Sequence, residues 1–185
     1  ATEFGRMYSR SLTEAPAVPS ITTVIAQGST SLDGWHSYMA ANAAVKHPGL
    51  PLAIGNSSQL RTIVQEASRA SERYRDAAAE RGTRVHYYCE QVALRALDQP
   101  HQVTEARSAL AEHGEHQFAD RFDEWWQLYQ VEPVAAEITI WNHELGYAGT
   151  LDLVAKIGGR LCLIDYKTKN TDRDGQVKPL DDKVV

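Results

Sequence analysis

Two aspartates and a lysine, Asp152, Asp165 and Lys167, are the residues of this 185-residue chain whose types and spacing most directly imply chemistry. Residues 154–157 and 161–164 are mostly apolar, β-rich runs separated by Gly158-Gly159, a pair suited to a two-residue hairpin loop whose positions need positive φ. With those glycines as the loop, Ile157 falls opposite Arg160, Leu153 opposite Ile164, Asp152 opposite Asp165, and Thr150 opposite Lys167. Side chains alternate along a strand, so Asp152, Asp165 and Lys167 emerge on one face, and Leu151, Leu153, Ile164 and Tyr166 on the other.

Directly opposed residues have Cβ atoms about 4.5 to 5.5 Å apart, a range at which like charges destabilise a sheet unless something neutralises them. A divalent cation would do so, and oxygen-rich ligands suit Mg²⁺ or Mn²⁺ with positions left for water and a substrate phosphate. Lys167 is then placed to orient or deprotonate the attacking water and to offset charge developing on phosphorus. The plainer alternative is a surface hairpin with scattered charges. Aliphatic residues on both faces argue against it, since they imply burial on two sides, where unpaired charge is costly.

The segment Gly149-Thr150-Leu151-Asp152, followed by the run from Gly159 through Leu163-Ile164-Asp165-Tyr166-Lys167-Thr168, resembles motifs II and III of the PD-(D/E)XK nucleases. Within that superfamily it is most similar to the RecB and Cas4-like exonuclease branch, particularly the mitochondrial genome maintenance exonuclease and its phage and bacterial relatives. Gly82-Thr83-Arg84-Val85-His86 matches the G-T-x-x-H helix motif of that branch, and residues 20–25 resemble its P-S-[VI]-T-T segment. The resemblance implies a Mg²⁺- or Mn²⁺-dependent deoxyribonuclease with an αβββαβ core, a central mixed sheet flanked by helices. It implies His86, Asp152, Asp165 and the Tyr166 carbonyl as metal ligands, with Lys167 as the catalytic lysine. Glu137 matches an acidic position of many relatives. The substrate implied is DNA, single-stranded or at ends, in repair, recombination or phage processes.

On residues alone, His86 sits on a helix opened by Gly82 and Thr83, with Val85, Cys89, Val92 and Ala96 as an apolar stripe and Glu90 one turn away. The Q-x-x-x-Y motif that usually follows the D-x-K strand in this branch is missing. Gln176 is the nearest glutamine and Leu180 stands where the tyrosine would be, so the expectation is that a C-terminal portion is absent from the chain. Two cysteines, Cys89 and Cys162, are too few for the four-thiolate iron-sulfur cluster of some relatives, and they favour a reducing cytoplasm. With the resemblance to phage and bacterial relatives, the expected location is the cytoplasm of a bacterial or phage-infected cell rather than a mitochondrion.

A hydrophobic content of 43% suits one nuclease domain over 1–185, with a helical part over 1–80 and a catalytic core over 81–185. No targeting segment or membrane span is evident. The net charge of −5 argues against broad coating of duplex DNA. Arginines before His86, and Lys167, Lys169 and Arg173 around the hairpin, are placed to line a narrow channel, with Arg84, Lys169 and Arg173 as candidate DNA contacts. Most of the charge over 61–80 reads instead as a solvated face.

Helical patterns are expected over 32–45, over 60–79 with Ser57 or Ser58 as N-cap, from Gly82 to about Leu97, and over 103–129, with a loop over 48–56. In the last helix Phe118, Phe122, Trp125 and Tyr129 form a core stripe. Trp126, Trp35 and Tyr87 are candidate base-stacking surfaces. A strand over 134–141 and a turn over 142–146 precede the hairpin, and a polar loop over 170–175 follows it. Two other readings fit the same core: a structure-specific endonuclease, or an inactive nucleic-acid-binding or assembly subunit.

Overall fold

The structure, a computed structural model, describes residues 5–11, 13–28 and 31–169. The chain divides into two compact units, Ala1–Glu80 and Arg81–Val185. Its elements in order are β1 (Met7–Tyr8), β2 (Val18–Pro19), α1 (Ile21–Ala26), α2 (Asp33–Val45), α3 (Leu50–Ala53), α4 (Ser57–Ser68), α5 (Ala70–Ala96), α6 (Val103–Glu112), α7 (His116–Leu128), β3 (Glu132–Asn142), β4 (Tyr147–Ile157) and β5 (Arg160–Ile164).

In the first unit, β1 and β2 pair antiparallel. Ser20 then caps α1, its buried hydroxyl accepting from the Thr23 amide at 3.0 Å. Helix α2 packs on α4, and the stretch expected as a loop holds the short α3. The N-cap of α4 is Asn56, not Ser57 or Ser58, because its Oδ1 accepts from the amides of both Ser58 and Gln59 at 3.2 Å. The helix expected over 60–79 breaks at Arg69. There the Arg73 guanidinium donates to the Glu66 carbonyl at 2.9 Å, satisfying a terminal acceptor that continued helix would otherwise occupy. Trp35 lies edge-on to Tyr74, so its ring has a structural contact of its own.

Helix α5 does not open at Gly82. It is continuous from Ala70 to Ala96, and the cost of one interior glycine, about 1 kcal/mol, is outweighed by the strong helix formers around it. Val85, Tyr88, Cys89 and Val92 build the core of the second unit with Val103, Ala106 and Leu110 of α6 and Ala119 and Phe122 of α7. Ala96 is exposed. The expected helix over 103–129 is two helices, broken at Gly114 with φ +68°. The Glu115 amide bonds the Leu110 carbonyl at 2.8 Å and the Gly114 amide bonds that of Ala111 at 3.0 Å, a Schellman ending that requires the left-handed residue. Trp126, expected as a stacking surface, packs on Phe122 and Trp125 instead.

Three strands follow in the order β3-β4-β5, all antiparallel. Among the described residues no parallel strand makes the sheet mixed and no last αβ of the expected core is seen, and the loop expected over 170–175, Arg173, Gln176 and Leu180 lie outside the described residues. The β4–β5 loop is Gly158-Gly159, with φ +57° and +77°, as a two-residue turn of this kind demands. Ile157 pairs with Arg160 and Leu153 with Ile164, the register read from the sequence. Leu153 and Ala155 bury against Ala93 and Val131, with Trp125, Trp126, Ile164 and Tyr166 packed beside them. The opposite face of β5 is not buried as the sequence suggested, Leu161 and Leu163 being 64% and 67% exposed.

Candidate metal centre

The β4–β5 ladder ends at Leu153–Ile164, so the expected pairs Asp152–Asp165 and Thr150–Lys167 do not form. The Tyr166 amide instead donates to Asp152 Oδ2 at 2.5 Å. The two aspartates therefore have different surroundings. The Asp152 side chain is 11% exposed, whereas that of Asp165 is 60% exposed and its Oδ2 pairs with Lys167 Nζ.

Asp152 is matched from the helix layer by His86, whose Nδ1 lies 3.4 Å from Asp152 Oδ1. From the other side comes Glu137. The register that pairs Ala136 with Leu153 and Ile138 with Leu151 sets Glu137 abreast of Asp152. Glu137 has φ +50°, a left-handed conformation that non-glycine residues rarely adopt in a strand and that re-aims its side chain. Among the described residues, one ligand atom each of His86, Glu137 and Asp152 lie within 4.8 Å of one another. Asp165 and Glu90 are not in that group.

The His86–Asp152 separation is near that of two ligands sharing a cation. At 3.4 Å the His86–Asp152 contact is long for a hydrogen bond. Two neighbouring ligands of one octahedral Mg²⁺, each about 2.1 Å from it, stand about 3 Å apart. Two oxygens and one imidazole also match the donor preferences of Mn²⁺. A cation would offset the adjacency of two carboxylates, which otherwise opposes their pairing.

The electrostatics follow from the same contacts. The Asp152 carboxylate beside it raises the His86 pKa, outweighing burial and the Lys167 charge, which lower it. Burial alone would raise Asp152, but His86 and the Tyr166 amide, with the charges of His86 and Lys167, hold it below the usual aspartate range. Lys167 thus acts electrostatically on both groups while itself exposed beside Asp165.

The remaining site candidates are placed otherwise. Arg84, expected to contact DNA, forms a two-pronged bond with Glu115, Nε to Oε2 at 2.8 Å and Nη2 to Oε1 at 2.7 Å, tying α5 to the start of α7. Lys169 is half-buried and has an interaction of its own. Tyr87 donates its hydroxyl to Gln102. Cys89 is buried in the core and Cys162 half-buried, both as free thiols. No helix among the described residues is long and apolar enough to cross a membrane. Sequence reasoning missed the Tyr166 amide as a partner of Asp152. The short spacing from Asp165 to Lys167 is compatible with a strand continuing, and only the tertiary fold shows that it stops.

The chain matches no protein-family model and no curated protein sequence.

Proposed function

We propose that this chain is a divalent-metal-dependent DNA nuclease, and specifically an exonuclease acting on single-stranded DNA or DNA ends. The observation that carries the reading is the convergence of His86, Glu137 and Asp152, with Lys167 close enough to influence two of them. The choice of DNA, and of exonucleolytic action, rests on the resemblance of the residue 149–168 segment and of Gly82 to His86 to the RecB and Cas4-like branch.

Mg²⁺ or Mn²⁺, when bound, supplies Lewis acidity toward a phosphate and acidifies water. His86, Glu137 and Asp152 would hold the cation. The Tyr166 amide occupies Asp152 Oδ2, which leaves Oδ1 turned toward His86. Lys167 supplies a positive charge against the scissile phosphate, where charge increases in the transition state. Asp165 steadies that ammonium through its Oδ2.

Lys167→Ala tests the assignment. The variant is expected to bind Mn²⁺ as the parent chain does and to lose cleavage of linear single-stranded DNA. Undiminished turnover would remove Lys167 from the reaction. A covalently closed single-stranded circle should survive the parent enzyme, and cutting of that circle would establish endonucleolytic action instead.

A further inference from the structure

Tyr166 stands between two of the proposed ligands. Its amide holds Asp152 Oδ2, and its ring lies against the imidazole of His86. Because the ladder ends at Ile164, sheet pairing does not place this main chain. The ring does. It lies edge-on to His86 with centroids 5.8 Å apart and nearly perpendicular to Phe122 at 5.5 Å, and it packs against both core clusters of the second unit.

The hydroxyl of this ring is buried and finds no hydrogen-bond partner among the described residues. A buried hydroxyl with no partner among the described residues adds no hydrogen bond there to hold the ring in place. Shape therefore anchors residue 166. We propose that Tyr166 is a positioning residue whose ring, wedged between His86 and Phe122, fixes the main-chain amide that orients Asp152 toward a cation shared with His86. This rests on the metal-centre reading above and adds to it the part of the core that sets the geometry.

The test is a Mn²⁺ titration of the whole chain, with free Mn²⁺ followed by electron paramagnetic resonance. Tyr166→Phe keeps the ring and should bind within about twofold of the parent, since only an unpartnered group is lost. Tyr166→Leu should bind more weakly by on the order of 10- to 100-fold, as when the support behind a ligand is removed. Leu110→Ala opens a cavity in the same core cluster from α6 and should lower the melting temperature without changing Mn²⁺ affinity. Parent-like binding by Tyr166→Leu, or an equal loss in Leu110→Ala or Tyr166→Phe, would overturn the positioning role. Absence of Mn²⁺ binding by the parent chain would overturn the metal centre itself, so the two failures are distinct.

Discussion

Helix α5 carries polar clusters on two of its sides. His86 meets Asp152 and Glu137. Two residues on, about 200° around the helix, Tyr88 meets Asp123, which also receives Arg107. The second cluster is closed. The Tyr88 hydroxyl donates to Asp123 at 2.8 Å, and Arg107 donates to Tyr88, to Asp123 and, through its other nitrogen, to Asp120. Burial, reinforced by Asp123, pushes the Tyr88 pKa up to about 12, so the phenol stays neutral and keeps donating. The first cluster instead sets two carboxylates abreast beside one imidazole, with a backbone in the left-handed region. A polar network whose members bond one another stabilises a core, whereas like charges set together on a strained backbone cost stability unless a partner offsets them.

That contrast is most strongly tested by adding metal. With Mn²⁺ at about a hundred times its Kd, binding to the folded chain alone stabilises it by about 2.7 kcal/mol. This should appear as a melting-temperature rise that Asp152→Ala abolishes and Asp123→Ala retains. An equal rise in the Asp152 variant would place the ion elsewhere.

Asp123→Ala should in turn lower stability by about 2 kcal/mol, because the buried Tyr88 hydroxyl loses the acceptor it donates to and Arg107 loses one of its partners. The urea midpoint reads this directly, at unchanged m-value. A midpoint shift no larger than that of an exposed surface substitution would mean that the closed cluster adds little.

Glu137→Gly sharpens the comparison from the other side. Glycine adopts φ +50° without strain, so the metal-free chain should gain roughly 1 kcal/mol while its Mn²⁺ affinity falls. A variant that loses stability would show that Glu137 is not strained there.

The smallest effect is a pH dependence at Arg84 and Glu115. The hydrogen bond from Arg84, foremost, lowers the Glu115 pKa against the pull of burial. A carboxyl depressed on folding contributes stability that is present above its unfolded pKa and lost as pH falls through its folded value, below the usual glutamate range. Arg84→Ala should therefore cost stability at neutral pH, and the difference from the parent should vanish in acid. A difference that persists below both pKa values would assign the loss to packing of the arginine stem.

The β4–β5 hairpin is legible in the sequence because two adjacent glycines and a strict alternation leave few registers open. The positions of Ile157 opposite Arg160 and Leu153 opposite Ile164 follow from local chemistry alone. One residue further that reasoning fails. Asp152 takes the Tyr166 amide for itself, and a hydrogen bond made by a side chain across the fold leaves no trace in periodicity. His86 and Glu137 were named by resemblance, and their approach to Asp152 depends on the packing of α5 and on the backbone of β3. The left-handed conformation of Glu137 has no local signal, since glutamate is not a residue that favours it. Helix boundaries at Asn56, Arg69 and Gly114 are each set by specific capping bonds, which hydrophobic spacing does not reveal.

The most direct test of the central claim is degradation of end-labelled, linear single-stranded DNA by the whole chain in Mg²⁺, in Mn²⁺ and in EDTA, with Asp152→Ala alongside. The account predicts metal-dependent shortening that EDTA and the substitution both abolish. Intact DNA under every metal, or shortening that persists in EDTA or in the Asp152 variant, would contradict it.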